Sequence, residues 1–211
     1  MSGQTPWQTV GPFFHYALPW RGGADLVGAE DMGARPDLVP PDHFMLHPTA
    51  PERAVAGEVI HIVGRVLDGE GAPISDALVE IWQANAAGRY ASPDDPRAEL
   101  ALDPGFTGFG RAATSAAGDY AFRTVRPGRV PGPGNSLQAP HIAVGVLGRG
   151  VIKRLVTRLY FEDEPGAEED PILALVPEAR RPTLIARREG EHRYRFDIVL
   201  NGEGETVFFD L

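Results

Sequence analysis

The 211 residues, 43% of them hydrophobic, are enough for one sizeable core or two small ones. A formal net charge of -9, with no Lys/Arg-rich run, argues against nucleic acid and anionic membrane as partners. The chain has no cysteine, which excludes disulfides, zinc–thiolate sites and thiolate nucleophiles, and its 25 glycines and 20 prolines point to short elements joined by turns.

Residues 1–52 read as an arm. Trp7, Phe13, Phe14, Tyr16 and Trp20 follow no regular period, and prolines and charges interrupt residues 33–51. Aromatic side chains in such an arm suit a surface on a partner chain, since aromatic anchors dominate interface cores. The start MSGQTPWQTVGPFF lacks the basic-then-apolar pattern of a secretory leader. No apolar run approaches the ~18 residues of a membrane span, so a soluble, cytoplasmic protein is the expectation.

Residues 53–211 read as a β domain. The β-branched run at 59–67 (VIHIVGRVL) predicts a strand, followed by a turn at 68–73 (DGEGAP). Residues 77–82 alternate as a second strand, and Asn85 to Gly88 turns the chain again. Further strands are predicted at 120–125, 142–147 and 156–161, and at 194–200 and 206–209 around an Asn201-Gly202 turn. Between 171 and 188 one or two short helices are expected, with Asp170 as cap and Pro171 at the first helical position. Many short strands with regular turns predict an all-β, antiparallel β-sandwich, and the runs VGRVLDGEGAPISDALVEI (63–81) and AGDYAFRTVRPG (117–128) resemble a small prealbumin-like sandwich.

One strand carries the chemistry. Side chains two apart in a strand share a face, about 7 Å apart, so a His-x-His pair aims two imidazoles at one metal ion. Here His141 is followed two places on by Ala143, whose methyl group donates nothing.

Four separate stretches carry a family resemblance: TVGPFFH (9–15), LVEIWQANAAGRY (78–90), TRLYFEDE (157–164) and RFDIVLNGEGETVFFD (195–210). Together they resemble the intradiol ring-cleaving dioxygenases, nearly end to end. That family opens catechol rings with a non-haem Fe(III) held by two tyrosines and two histidines, ligands suited to the ferric state. By motif, Tyr90 stands at the first tyrosine place and Val130 at the second. His141 and Ala143 stand at the two histidine places, and Gln138 is the nearest match to an arginine that assists the chemistry.

With two of four ligands left, the resemblance implies a vestigial metal pocket and a non-catalytic alpha-type chain. Fe(III) would then belong to a homologous beta chain in a large alpha/beta oligomer, and this chain alone would be inactive. The substrate implied is protocatechuate, a catechol bearing a carboxylate. Thr9, Gly11, Pro12 and Phe13 of the N-terminal loop, with Arg149 of the Gly-Arg-Gly turn, would face it as substrate-binding residues. A local guanidinium also suits an anionic ligand on an acidic chain.

Two other readings remain at this stage: a self-sufficient dioxygenase with different ligands, and a prealbumin-like carrier without enzymatic activity. His43, His47 and His61 read as solvated or core residues, His15 borders the proposed loop, and the acidic stretch 162–170 reads as a charged surface loop. No Ser-His-Asp order, phosphate loop or dinucleotide fingerprint is present.

Overall fold

Strand β1 (Val59–Leu67) shows how the sequence sets this fold. Its alternation buries Ile60, Ile62 and Val66 and exposes His61 and Arg65, as the two-residue period of a strand demands. The computed structural model describes residues 20–28, 30–36 and 55–210. After β1 come β2 (Leu78–Trp82), β3 (Phe109–Ala113), β4 (Asp119–Val125), β5 (Val130–Pro131), β6 (Leu137–Gln138), β7 (His141–Leu147) and β8 (Leu155–Phe161). Then follow β9 (Ile185–Gly190), β10 (Arg193–Arg195) and β11 (Ile198–Val199).

The antiparallel sandwich expected from the sequence is not what forms. The strands other than β5 and β6 join one continuous mixed sheet in the order β11-β1-β10-β9-β8-β7-β2-β3, with β4 added on β1. Three pairings are parallel: β1 with β10, β1 with β11, and β8 with β9. A parallel return needs a crossover connection rather than a hairpin. Residues 162–184 supply it between β8 and β9, carrying 3-10 turns at Ala167–Glu169, Leu173–Leu175 and Glu178–Leu184.

The same crossover corrects the helix expectation: the turns are 3-10, and 185–190 is strand. Around 206–209 a single bridge, Val156 to Phe209, replaces the expected strand.

The open edges of this sheet, β3 and β4, are stitched by the arm. Gly23 O accepts from Arg111 N of β3 at 2.7 Å, and Ala24 O accepts from Arg123 N of β4 at 2.8 Å. Leu26 N donates back to Arg123 O at 2.8 Å. The sheet therefore curls into a nearly closed barrel, and Ala24, Leu26 and Val27 join its core. Inside lie Ile62, Val79, Ile81, Phe122, Ile142, Val144, Leu159 and Phe161. Each such large side chain contributes roughly 1.5–3 kcal/mol on burial.

Strand β2 is buried on both faces, Glu80 included. Its carboxylate is neutralised by Arg111 Nε at 2.6 Å and Arg154 Nε at 3.0 Å. A carboxylate so placed needs such partners.

Candidate functional site

At the end of β2 the chain must turn sharply to present Tyr90. Asn85 does this from a buried position: its carbonyl accepts from Gly88 N at 2.9 Å, and its side-chain oxygen accepts from Arg89 N at 2.9 Å. Its amide donates to Ala101 O at 2.9 Å. Gly88 has φ 79° and packs against the 126–130 loop so tightly that a Cβ would lie 2.1 Å from Arg129 O, which only glycine permits.

Tyr90 N then donates to Asp95 Oδ2 at 2.9 Å, and its ring stacks on Trp82 with centroids 5.9 Å apart and planes 10° from parallel. Asp95 is itself clamped by Arg97 at 2.5 Å, which holds its carboxyl well below the usual range. Trp82, Tyr90, Arg97, Val130, Pro131 and Gln138 line a cleft of about 330 Å³.

The other three places of the expected ligand set gather beside this cleft. Val130 of β5 pairs with Gln138 of β6, and β6 leads directly into β7 at His141. Across β7 and β8, His141 stands opposite Tyr160 and Ala143 opposite Arg158. His141 Nδ1 lies 2.8 Å from Ala139 O, a group that only accepts, so Nδ1 carries the proton and Nε2 keeps its lone pair. Burial first, and the Arg158 charge second, hold the imidazole down to about 4. Burial pushes the Tyr90 phenol up, and Arg158 and then Arg97 pull it partway back. At neutral pH both are thus uncharged: one imidazole and one phenol.

Asp170 braces the arrangement. It is 1% exposed. It accepts from Ala139 N at 2.7 Å, Tyr160 Oη at 3.0 Å, Ile172 N at 2.9 Å and Leu173 N at 2.8 Å. Asp170 thus holds the entry to the Leu173–Leu175 turn, whose N-cap is Ile172 rather than the expected Asp170, and its hold on Tyr160 and on the strand entering His141 was missed. So was Arg158. The signal available was a charged residue two places before a tyrosine within an otherwise apolar strand, which puts both on one face.

Arg149 is elsewhere. It follows β7 at the end opposite His141, a strand length of roughly 20 Å away. Its Nε pairs with Asp76 Oδ2 at 3.0 Å, with 64% of its side chain exposed. Thr9, Gly11, Pro12, Phe13, His15, His43 and His47 lie outside the described residues. A wider cleft of about 500 Å³ is lined by Phe161, Leu173 and Ile185 with Glu162, Glu164, Glu168 and Glu178, and the remnant residues do not line it.

The family model described as Dioxygenase matches residues 47–202. The chain is a member of the intradiol dioxygenase family. It is 40% identical to the protocatechuate 3,4-dioxygenase alpha chain of Burkholderia cepacia, over 99% of this chain and 98% of that one. Against the alpha chain of Pseudomonas putida it is 38% identical, over 98% and 96%. Against the beta chain of Burkholderia cepacia it is 41% identical, over 87% of this chain and 79% of that one.

Among solved structures, the dioxygenase domain of a dioxygenase–carbohydrate-binding fusion from Streptomyces sp. SirexAA-E matches with TM-score 0.56 and 26% identity, over 95% and 99% of the two chains. Catechol 1,2-dioxygenase from Acinetobacter sp. ADP1, at 22% identity and TM-score 0.54 over 74% and 57%, shares the fold.

Intradiol dioxygenases use iron, and the donors of this chain can be tested against that ion. Fe(III) favours anionic phenolates and imidazoles. Tyr90 and His141 offer one of each type, while Val130 and Ala143 offer no donor atom. Among the described residues no group of three or more His, Asp or Glu gathers to hold a metal. The residues of this pocket do not fit the ion.

Proposed function

We propose that this chain is the alpha-type half of a heteromeric protocatechuate 3,4-dioxygenase, paired with a homologous beta chain that holds Fe(III). The reaction is insertion of both atoms of O2 between the two hydroxylated ring carbons, giving 3-carboxy-cis,cis-muconate. One observation carries the assignment: a chain similar to alpha chains almost end to end has two of the four family ligand places filled by Val130 and Ala143. Iron, when bound to the partner, supplies the oxygen chemistry. This chain's part is recognition and assembly.

In that role Arg149 belongs to the partner's site rather than its own. Its place at the far end of β7 from His141 supports that reading. Its exposure leaves the guanidinium able to exchange Asp76 for a substrate carboxylate. Thr9, Gly11, Pro12 and Phe13 are assigned to the same pocket.

Co-expression with a beta chain tests the reading. The chain alone should be free of stoichiometric iron and inactive, and the co-purified heteromer should hold iron and open protocatechuate. Ring cleavage by the chain alone, or its failure to join the beta chain, would reject it.

A further inference from the structure

Strands β2 and β7 run antiparallel and end together, with Leu78 opposite Leu147 as the last pair. Two residues beyond that pair, one on each side, stand Asp76 and Arg149, and Arg149 Nε lies 3.0 Å from Asp76 Oδ2. The two ends of this contact differ in firmness. Asp76 is sheltered, and the backbone beside it is fixed: Ala77 N donates to Thr114 Oγ1 at 3.0 Å, and Ala77 O accepts from Thr114 N at 2.9 Å. Arg149 projects from a turn between Gly148 and Gly150, with most of its side chain in solvent. A Cβ on Gly150 would meet nothing within 4 Å, so no packing steadies the turn there. Among the described residues Asp76 is the one charged partner of Arg149.

The far end of the same β7–β8 loop is also tied to β2. Arg154 Nε reaches Glu80 Oε2 at 3.0 Å by lying across Gly145 of β7, where a Cβ would fall 2.3 Å from the guanidinium. Two carboxylates, one just before β2 and one within it, thus hold the loop at both ends. We propose that Asp76 is a positioning residue for recognition of the substrate carboxylate: it holds the Arg149 guanidinium in place before the substrate arrives. The proposal rests on the assignment of Arg149 to the partner's pocket. A long side chain in solvent samples many rotamers and must be ordered when it binds. Held at Nε, Arg149 is ordered in advance, and the Nη1–Nη2 edge of its fork stays available to grip a carboxylate. That ordering serves whether the substrate then displaces Asp76 or binds beside it. The charges point the same way, because the cation lies outermost and its carboxylate is sheltered, so an approaching anion meets the guanidinium first. The benefit is confined to catechols that carry a carboxylate.

A double-mutant cycle in the heteromer separates positioning from plain structural support. The natural chain, Asp76→Ala, Arg149→Ala and the double variant are each co-expressed with a beta chain. KM and kcat are measured by oxygen uptake with protocatechuate and with unsubstituted catechol, and circular dichroism and co-purification check folding and assembly.

Asp76→Ala should raise KM for protocatechuate about 3- to 10-fold, the scale of immobilising one rotamer-rich side chain. kcat for protocatechuate, and both constants for catechol, should change by less than about twofold. In the Arg149→Ala background the further removal of Asp76 should do nothing, because Asp76 acts through Arg149. An unchanged or lowered KM for protocatechuate, an equal rise for both substrates, or an added effect in the Arg149→Ala background would each overturn the proposal. Should Asp76→Ala fail to fold or to join the beta chain, Asp76→Asn keeps the shape without the charge and is held to the same outcomes. A heteromer indifferent to Arg149→Ala would sink the assignment of Arg149 and the proposal with it. A heteromer sensitive to Arg149→Ala but not to Asp76→Ala would sink the proposal alone.

Discussion

The Tyr160 hydroxyl donates to Asp170 Oδ1 across 3.0 Å and ties strand β8 to the crossover that follows it. Burial first, then the Asp170 charge, pushes the Tyr160 phenol well above its usual range, so it remains a donor at any working pH. Asp170 accepts three backbone N–H groups besides, at 2.7–2.9 Å. Asp170→Ala would leave these donors buried without a partner. A loss of about 3–5 kcal/mol is expected, the range for removing one side of a buried charged interaction, measured by urea unfolding. Asp170→Asn retains one acceptor oxygen and should lose less.

His141 gives a pH dependence whose sign is fixed by its surroundings. In the unfolded chain an ordinary histidine protonates near 6.5, whereas in the folded chain burial delays protonation to about 4. Between those values the unfolded state binds more protons, so stability is complete above about 6.5 and falls as the solution is acidified toward 4. This residue alone accounts for a fall of about 3 kcal/mol at most. Melting temperatures recorded across that window should drop more steeply for the natural chain than for His141→Gln. Parallel curves would show that His141 is not the group responsible.

What the sequence disclosed, and what it hid, follow from range. Strands β1, β4 and β7 were legible because β-branched and apolar runs between turn residues are local: Val59–Leu67 needs no knowledge of partners. The turn at Asn85 to Gly88 was legible too, since turn residues also act locally, whereas Tyr90 was picked out by the family resemblance alone. The direction of β9 was not. Whether Ile185–Gly190 runs with or against β8 depends on where the 162–184 crossover leads, and 3-10 turns carry little periodicity to mark it.

Nor was the pairing of Ala143 with Arg158 legible, since it depends on the register of β7 against β8. Reading His141 and Ala143 gave, through the family resemblance, the expectation of a missing ligand. Only the register showed a cation in its neighbourhood.

Among the described glycines, Gly64 lies nearest to a facing backbone. A Cβ there would lie 1.8 Å from Phe196 O, which also accepts the Tyr120 hydroxyl at 2.5 Å. Neither backbone can yield without disturbing the pairing of β1 with β4 and β10. Gly64→Ala should therefore destabilise the fold by about 3 kcal/mol or more, at or beyond the usual cost of overpacking. Circular dichroism during thermal unfolding provides the measurement, and a change below about 1 kcal/mol would contradict the described contact.

Arg149 and Asp76 supply the test of substrate recognition. The pair is 3.0 Å apart, with Arg149 64% and Asp76 16% exposed, so the carboxylate is the sheltered partner. Arg149→Ala should accordingly cost a modest amount of stability, about 1 kcal/mol, because Asp76 Oδ2 is buried without a hydrogen-bond partner. In the heteromer the same substitution should weaken productive binding of protocatechuate by about 1.5–3 kcal/mol, the worth of a hydrogen bond to a charged group. That is roughly a 10- to 100-fold loss in kcat/KM. Unsubstituted catechol lacks the carboxylate and should be affected far less. Steady-state oxygen uptake with both substrates decides the matter: an equal loss for the two would remove Arg149 from carboxylate recognition and leave it as a contact between chains.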